Sequence, residues 1–241
     1  MAILINESKA MQRALDLSEL GLGLTAPNPI VGAVIIDDSG EIIGEGFHQR
    51  ANNGAHAEVI AINAAGKKAE GATLVLTLEP CNHTGKTPPC ADAIIAAGIK
   101  RVIFSMKDPN PIAQGGAERL RVKGVEVVEG VLKEKVSFSN RAWLNKIEEK
   151  RPYITLKVAS SLDGKISAAD GSSKWITNEI SRSDVARLRS ECDAIVTGTG
   201  TVIADDPSLT VRGIVRAGAK FAQTRVVLGK RGIPSGAKLL D

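Results

Sequence analysis

Apolar and polar positions follow two different periods along the chain, and the switches between them predict its elements. Over residues 7–21, Ala10, Met11, Ala14, Leu15 and Leu17 are among the apolar positions of an amphipathic helix. Pro27 and Pro29 end any continuation of it. Two strands are predicted near 30–37 and 42–47, with Asp37 to Gly40 as their turn. A helix starting at His56 or Ala57 and reaching about Ala65 comes next, then a strand from Ala72 to Leu78. Pro88 and Pro89 introduce a helix from Cys90 to Ala97, and Arg101 to Ser105 is another strand. A helix near 115–121, a strand near 125–128 and a helix near 130–144 close the first block. Such alternation predicts a layered α/β domain with helices on both faces of its sheet.

The pattern then breaks. Residues 146–152 are polar, with Lys146, Glu148, Glu149, Lys150 and Arg151 before Pro152, and are predicted as a linker between domains 1–145 and 153–241. In the second block Tyr153 to Val158 is a predicted strand, and Leu162 to Lys165 has turn chemistry. Thr177 or Asn178 is placed to cap a helix reaching Glu191. Ala194 to Val196 and Arg225 to Leu228 are the remaining strands.

Composition narrows the classes. Hydrophobic residues make up 43% of the 241 and aromatic residues only 3%, too few for the stacked platforms of single-strand nucleic-acid binders. The net charge of +4 includes no block of like charges, so no nucleic-acid partner is expected. A few cations are still able to meet a phosphorylated ligand. No signal peptide and no run of ~18 apolar residues is read, so no membrane partner and a cytoplasmic location are expected. Three cysteines in such a chain favour metal chemistry over disulfides.

His56-Ala57-Glu58, Pro80-Cys81 and Pro88-Pro89-Cys90 stand out together. One nitrogen and two sulfur ligands suit Zn2+, and three protein ligands leave one position open for water, as in catalytic sites. His56 and Cys90 sit at predicted helix starts, whose positive ends favour thiolates. Glu58 follows His56 by two residues, facing the open position as a proton carrier. This is the H-x-E…P-C pattern of zinc deaminases that attack an amino-bearing ring carbon. One departure is the loop from Asn82 to Pro89, eight residues between the cysteines where that pattern has two. A purely structural zinc site, or two buried free cysteines beside a histidine, is the alternative.

The chain resembles the bifunctional deaminase/reductase family of riboflavin biosynthesis. The matching stretches are Pro27-Asn28-Pro29, Gly46-Phe47-His48, His56-Ala57-Glu58-Val59, Leu78-Glu79-Pro80-Cys81, Thr87-Pro88-Pro89-Cys90 and Asp108-Pro109-Asn110-Pro111. The long spacing between the cysteines is also this family's. The resemblance implies a three-layer α/β/α cytidine-deaminase-like domain followed by part of a dihydrofolate-reductase-like α/β domain that uses NADPH. It implies a small phosphorylated pyrimidine as substrate and a homo-oligomer. Asn28 would bond the pyrimidine edge, His48, His83 and Lys86 would meet the ribose phosphate, and Asp108 and Asn110 would fix the loop over the sugar.

In the second block Ser160 to Lys165, Lys174 to Thr177 and Thr201 to Arg212 carry the resemblance. Ala159, Trp175, Thr201 and Asp205 would touch NADPH; Lys157, Ser173, Arg189, Leu209 and Arg212 would touch the reductase substrate. Arg189 and Arg212 have forks suited to phosphate. The family's reductase continues past Asp241, which leads to the expectation that this chain alone reduces little. Two readings compete with a riboflavin-pathway deaminase. One is a deaminase of another nucleoside or of tRNA; the other is a zinc-stabilised, non-catalytic nucleotide-binding module.

Overall fold

The mostly apolar runs Gly32–Ile36 and Thr73–Leu78 are central strands, buried along their whole length. A computed structural model describes residues 5–49, 54–85, 87–173, 175–214 and 223–241. It divides into two compact units, Met1–Ile154 and Thr155–Asp241.

The first unit runs α1 (Ile5–Glu19), β1 (Gly32–Ile36), β2 (Ile42–Phe47), α2 (Ala57–Ala65), β3 (Thr73–Leu78), α3 (Cys90–Ala96), β4 (Arg101–Met106), α4 (Gly116–Val122), β5 (Glu126–Glu129), α5 (Lys133–Ser139) and α6 (Arg141–Glu149). The strand order is β2-β1-β3-β4-β5. β1 is antiparallel to β2 and to β3, whereas β3, β4 and β5 are parallel. That polarity brings the segment entering β1 and those leaving β2, β3 and β4 to one edge of the sheet.

Side chains on a strand alternate between faces, so each central strand feeds two cores. Ala33, Ile35, Leu74, Leu76, Val102 and Phe104 pack with Ala57, Ala61, Ile94 and Leu120 of α2, α3 and α4. Val34, Ile36, Val75 and Ile103 pack with Ala10, Met11, Ala14 and Leu17, the apolar stripe of α1. Met11, Leu74 and Phe104 are fully buried, each contributing on the order of 1.5–3 kcal/mol by leaving water. A charge in place of Leu74 would break the layer.

Gly44 and Gly46 let α2 lie directly on β2. A Cβ on Gly46 would sit 2.5 Å from the Ala57 carbonyl oxygen, and one on Gly44 would sit 2.4 Å from that of Ala61. Glycine inside a strand marks such a close approach.

Three sequence expectations are corrected. The single helix near 130–144 is two helices, α5 and α6, parted at Asn140. The polar stretch from Lys146 to Glu149 is the end of α6 rather than linker. Its polarity is that of a solvent-facing helix side, while Trp143 and Leu144 pack on Leu15, Leu78, Met106 and Val136. Tyr153 to Val158 forms no strand. No strand pairs with it among the described residues, and Ile154, Leu156 and Val158 are exposed. An extended segment becomes a strand only through a ladder partner.

The second unit contains α7 (Glu179–Ser190), β6 (Ala194–Gly198), α8 (Thr199–Asp205) and β7 (Thr224–Leu228). Asn178 caps α7, its Oδ1 accepting from the Ser181 amide at 2.9 Å. β6 and β7 are parallel, and Val202, Ala237 and Leu239 form a small core. Gly198 is the N-cap of α8, so the glycine-rich segment after β6 runs directly into a helix. Among the described residues no helix is long and apolar enough to cross a membrane.

Candidate metal centre and substrate pocket

The shared sheet edge holds a cavity of about 330 Å³, lined among others by Asn28, His48, His56, Glu58, Cys81, His83, Asp108 and Asn110. His56 is the N-cap of α2, extended at φ −79° and ψ 154°, and its side chain makes no capping bond. Its ring turns instead to the cysteines, with Nδ1 3.1 Å from Cys90 Sγ and 3.6 Å from Cys81 Sγ. Cys81 follows β3, and Cys90 is the first residue of α3. The Cys90 amide donates to Cys81 Sγ at 3.3 Å. One ligand atom from each of the three residues lies within 4.8 Å of the others, a spacing able to hold a metal ion.

Without a metal, the electrostatics favour one deprotonated sulfur, that of Cys81. A hydrogen bond from Cys90, aided by His56 and by the Cys90 amide, pulls the Cys81 thiol down to about 4. The same pairing, together with burial, pushes Cys90 up. His56 is raised by its hydrogen bond with Cys81. Glu58, in the first turn of α2 and 4% exposed, is raised by burial.

The remaining lining residues are held by the loops that carry them. The Asn28 amide nitrogen lies 3.2 Å from His48 Nε2, and His48 Nδ1 lies 3.0 Å from the Ala55 carbonyl. A carbonyl only accepts, so Nδ1 carries the proton and Nε2 accepts from Asn28. His48 is buried and thus engaged with Asn28 through one nitrogen and the backbone through the other. His83 Nδ1 is buried, with no hydrogen-bond partner among the described residues. Asp108 accepts from the Asn110 amide at 2.8 Å, and Asn110 Oδ1 from the Ile112 amide at 3.2 Å. Burial raises the Asp108 carboxyl, and the nearby Glu79 adds to the rise. Lys86 lies outside the described residues. Arg119 joins Asn82 to Asp92 and so pins the long loop between the cysteines at its start.

Several pocket residues escaped the sequence reading. Trp143, Lys146 and Ile147 of α6 form part of the wall. Their spacing of three and four residues was the available signal, obscured by the polar residues between them. Glu79 is 6% exposed. Its Oε1 accepts from the amides of Gly115 (3.1 Å) and Ala117 (3.2 Å), and its Oε2 from that of Asp108 (3.3 Å).

In the second unit, Arg189, Leu209 and Arg212 come together. Arg189 donates to the Thr210 carbonyl at 3.4 Å and Arg212 to Ser208 Oγ at 2.7 Å. Burial, then the charge of Arg212, lowers Arg189. Leu209 is buried with a left-handed φ of 51°. Trp175 is 70% exposed beneath the Arg182 guanidinium. Thr201 and Asp205 lie exposed on α8, and Lys157 is exposed. Ala159 and Ser173 are half-buried. No hydrogen bond or ion pair among the described residues joins Lys157, Ala159 or Ser173 to the arginine group.

Comparison with known proteins covers both units. Residues 5–106 match the cytidine and deoxycytidylate deaminase zinc-binding region, and residues 152–241 match the RibD C-terminal domain. The riboflavin biosynthesis protein RibD of Mycobacterium tuberculosis is 49% identical over 97% of this chain and 69% of its own length. That of Aquifex aeolicus is 48% identical over 96% of this chain and 64% of its own. A solved diaminohydroxyphosphoribosylaminopyrimidine deaminase/5-amino-6-(5-phosphoribosylamino)uracil reductase from Thermotoga maritima superposes with a TM-score of 0.88. It is 44% identical and covers 98% of this chain and 67% of that one.

Proposed function

The chain belongs to the RibD family of riboflavin biosynthesis, and from that premise we propose that its first unit is a zinc-dependent deaminase of 2,5-diamino-6-ribosylamino-pyrimidinone 5′-phosphate. The observation that carries the reading is the convergence of His56, Cys81 and Cys90 beside a buried Glu58 in one cavity.

His56 Nδ1 and the two thiolates fit zinc by donor type and spacing. Zinc bound there supplies acidified water and keeps both cysteines deprotonated. Glu58 does the proton work. It accepts a proton from the water that adds to the amino-bearing ring carbon, then returns it to the nitrogen, which leaves as ammonia. Burial raises the carboxyl, which favours its proton-holding form. Asn28, oriented by His48, reads an edge of the pyrimidine. His83 and Lys86 serve the phosphate, and Asp108 and Asn110 shape the loop over the sugar. His48, which lines the same cavity, is placed with His83 and Lys86 at the ribose phosphate in this reading.

For the second unit we propose Ala159, Trp175, Thr201 and Asp205 as NADPH contacts, with Lys157, Ser173, Arg189, Leu209 and Arg212 at the reductase substrate. A cytoplasmic homo-oligomer acting on a free nucleotide, not on nucleic acid, completes the proposal. Light scattering checks the assembly.

The test is a mass spectrum of the products formed by the zinc-loaded chain from the diaminopyrimidinone ribosylamine phosphate, with NADPH present. Exchange of one amino group for oxygen supports the deaminase. Added hydrogen on the same product supports a working reductase as well. Unchanged substrate, from protein verified to hold zinc, refutes the substrate assignment.

A further inference from the structure

Asn140 is a buried amide spent on a single distant peptide. It is 2% exposed, at the break between α5 and α6. Its Nδ2 donates to the Ile30 carbonyl and its Oδ1 accepts from the Ile30 amide, both at 3.1 Å. The partners lie 110 residues apart in sequence. Ile30 precedes β1, which starts at Gly32, so no ladder pairs its peptide. Both Asn140 bonds are buried, and together they fix position and direction as apolar packing does not.

What Asn140 joins is informative. Ile30 ends the segment that carries Asn28 into the pocket. That segment is held at its other end by Thr25, whose Oγ1 donates to the Asn28 carbonyl at 3.1 Å. On the other side of the clamp, Trp143, Lys146 and Ile147 follow Asn140 along one face of α6 and line the same cavity. Asn140 therefore ties one wall of the pocket to another. The metal ligands come from the start of α2, the loop after β3, and α3, and among the described residues no side-chain hydrogen bond joins them to Asn140 or Ile30.

We infer that Asn140 is a positioning residue that sets the separation between the Asn28 loop and the α6 wall, and that this wall contacts the substrate. The inference rests on the deaminase reading above. Loss of the clamp loosens substrate binding while leaving the metal and the proton carrier in place.

The test uses the full, zinc-loaded chain. Asn140→Asp keeps the shape and one bond but cannot donate to the Ile30 carbonyl, and Asn140→Ala loses both. Lys146→Ala probes the exposed end of the same wall without disturbing the core. Expected is a KM raised between about 10- and 100-fold for the Asn140 variants, with kcat within about threefold and zinc content unchanged. Lys146→Ala should raise KM several-fold. Substrate affinity is also measured without turnover in a Glu58→Gln background, where the same losses should appear. A lowered melting temperature with unchanged KM would make Asn140 a mere brace. An unchanged KM in Lys146→Ala would remove α6 from the substrate, even if neither Asn140 variant folds. If Glu58→Gln alone binds no substrate, the deaminase reading fails, and this inference with it.

Discussion

Replacing Glu79 by Gln tests whether one buried carboxylate holds the floor of the pocket together. Glu79 receives three backbone amides, from Gly115 and Ala117 on one oxygen and Asp108 on the other. They belong to the start of α4 and to the loop carrying Asp108 and Asn110. Glutamine keeps one accepting oxygen. If it faces the two amides near α4, its NH2 opposes the Asp108 amide, donor against donor. One bond to a charged acceptor is lost, at about 1.5–3 kcal/mol, and the other two fall to neutral strength. The sum is about 3.5–6 kcal/mol, or roughly 7–24 °C in Tm for a unit of this size. Circular dichroism of the zinc-loaded chain in urea and on heating reads the loss. Because the Asp108 loop loosens, KM should rise as well. A Glu79→Gln protein within about 0.5 kcal/mol of the parent would refute the reasoning, since surface changes alone stay in that range.

Other outcomes follow from the same geometry. Glu58→Gln should lower deamination by about 10²–10⁴-fold while zinc content, read by atomic absorption, stays at the parent level. Gly46→Ala puts a methyl against the Ala57 carbonyl and should cost about 3 kcal/mol or more. It should also weaken zinc binding, because α2 carries His56 at its cap. Arg13 pairs with Glu45 through two contacts, 2.7 and 2.8 Å, and its hydrogen bond lowers the Glu45 carboxyl from 4.5. Stability from a lowered carboxyl is present above its unfolded value and is lost as pH falls through the folded one. Glu45→Gln should therefore cost up to about 1 kcal/mol at neutral pH, discounted for exposure. The difference should begin to shrink as pH falls below the ordinary carboxyl value of 4.5 and vanish beneath the lowered folded one, as followed by urea unfolding across pH.

The legible parts of the chain were those where one local rule sufficed. The helical stripe of α1, the apolar runs of β1 and β3 and the proline-led start of α3 all carry their signal within a few residues. The His56, Cys81 and Cys90 cluster was legible because few chemistries use those residue types together, and their side chains do converge. The α6 wall was not legible, since Lys146, Glu148 and Glu149 make a helix face look like a linker. Nor was the work of Asn140 or Glu79, because each depends on a partner brought near only by the fold. Tyr153 to Val158 shows the converse. Its pattern predicts a strand, but a strand is a property of two segments.

The reversed β1–β2 hairpin has a use for protein engineering. Because β1 and β2 run against each other and β3, β4 and β5 run together, every pocket-bearing loop leaves from one rim of the sheet. The turns at the other rim, around Ser39, Lys68, Gly98 and Gly124, carry no pocket residue. Tags, fluorophores or inserted domains belong there. A reporter grafted near Gly124 would ride on the scaffold, whereas the same cargo at Asn28 or Asn110 would sit in the doorway.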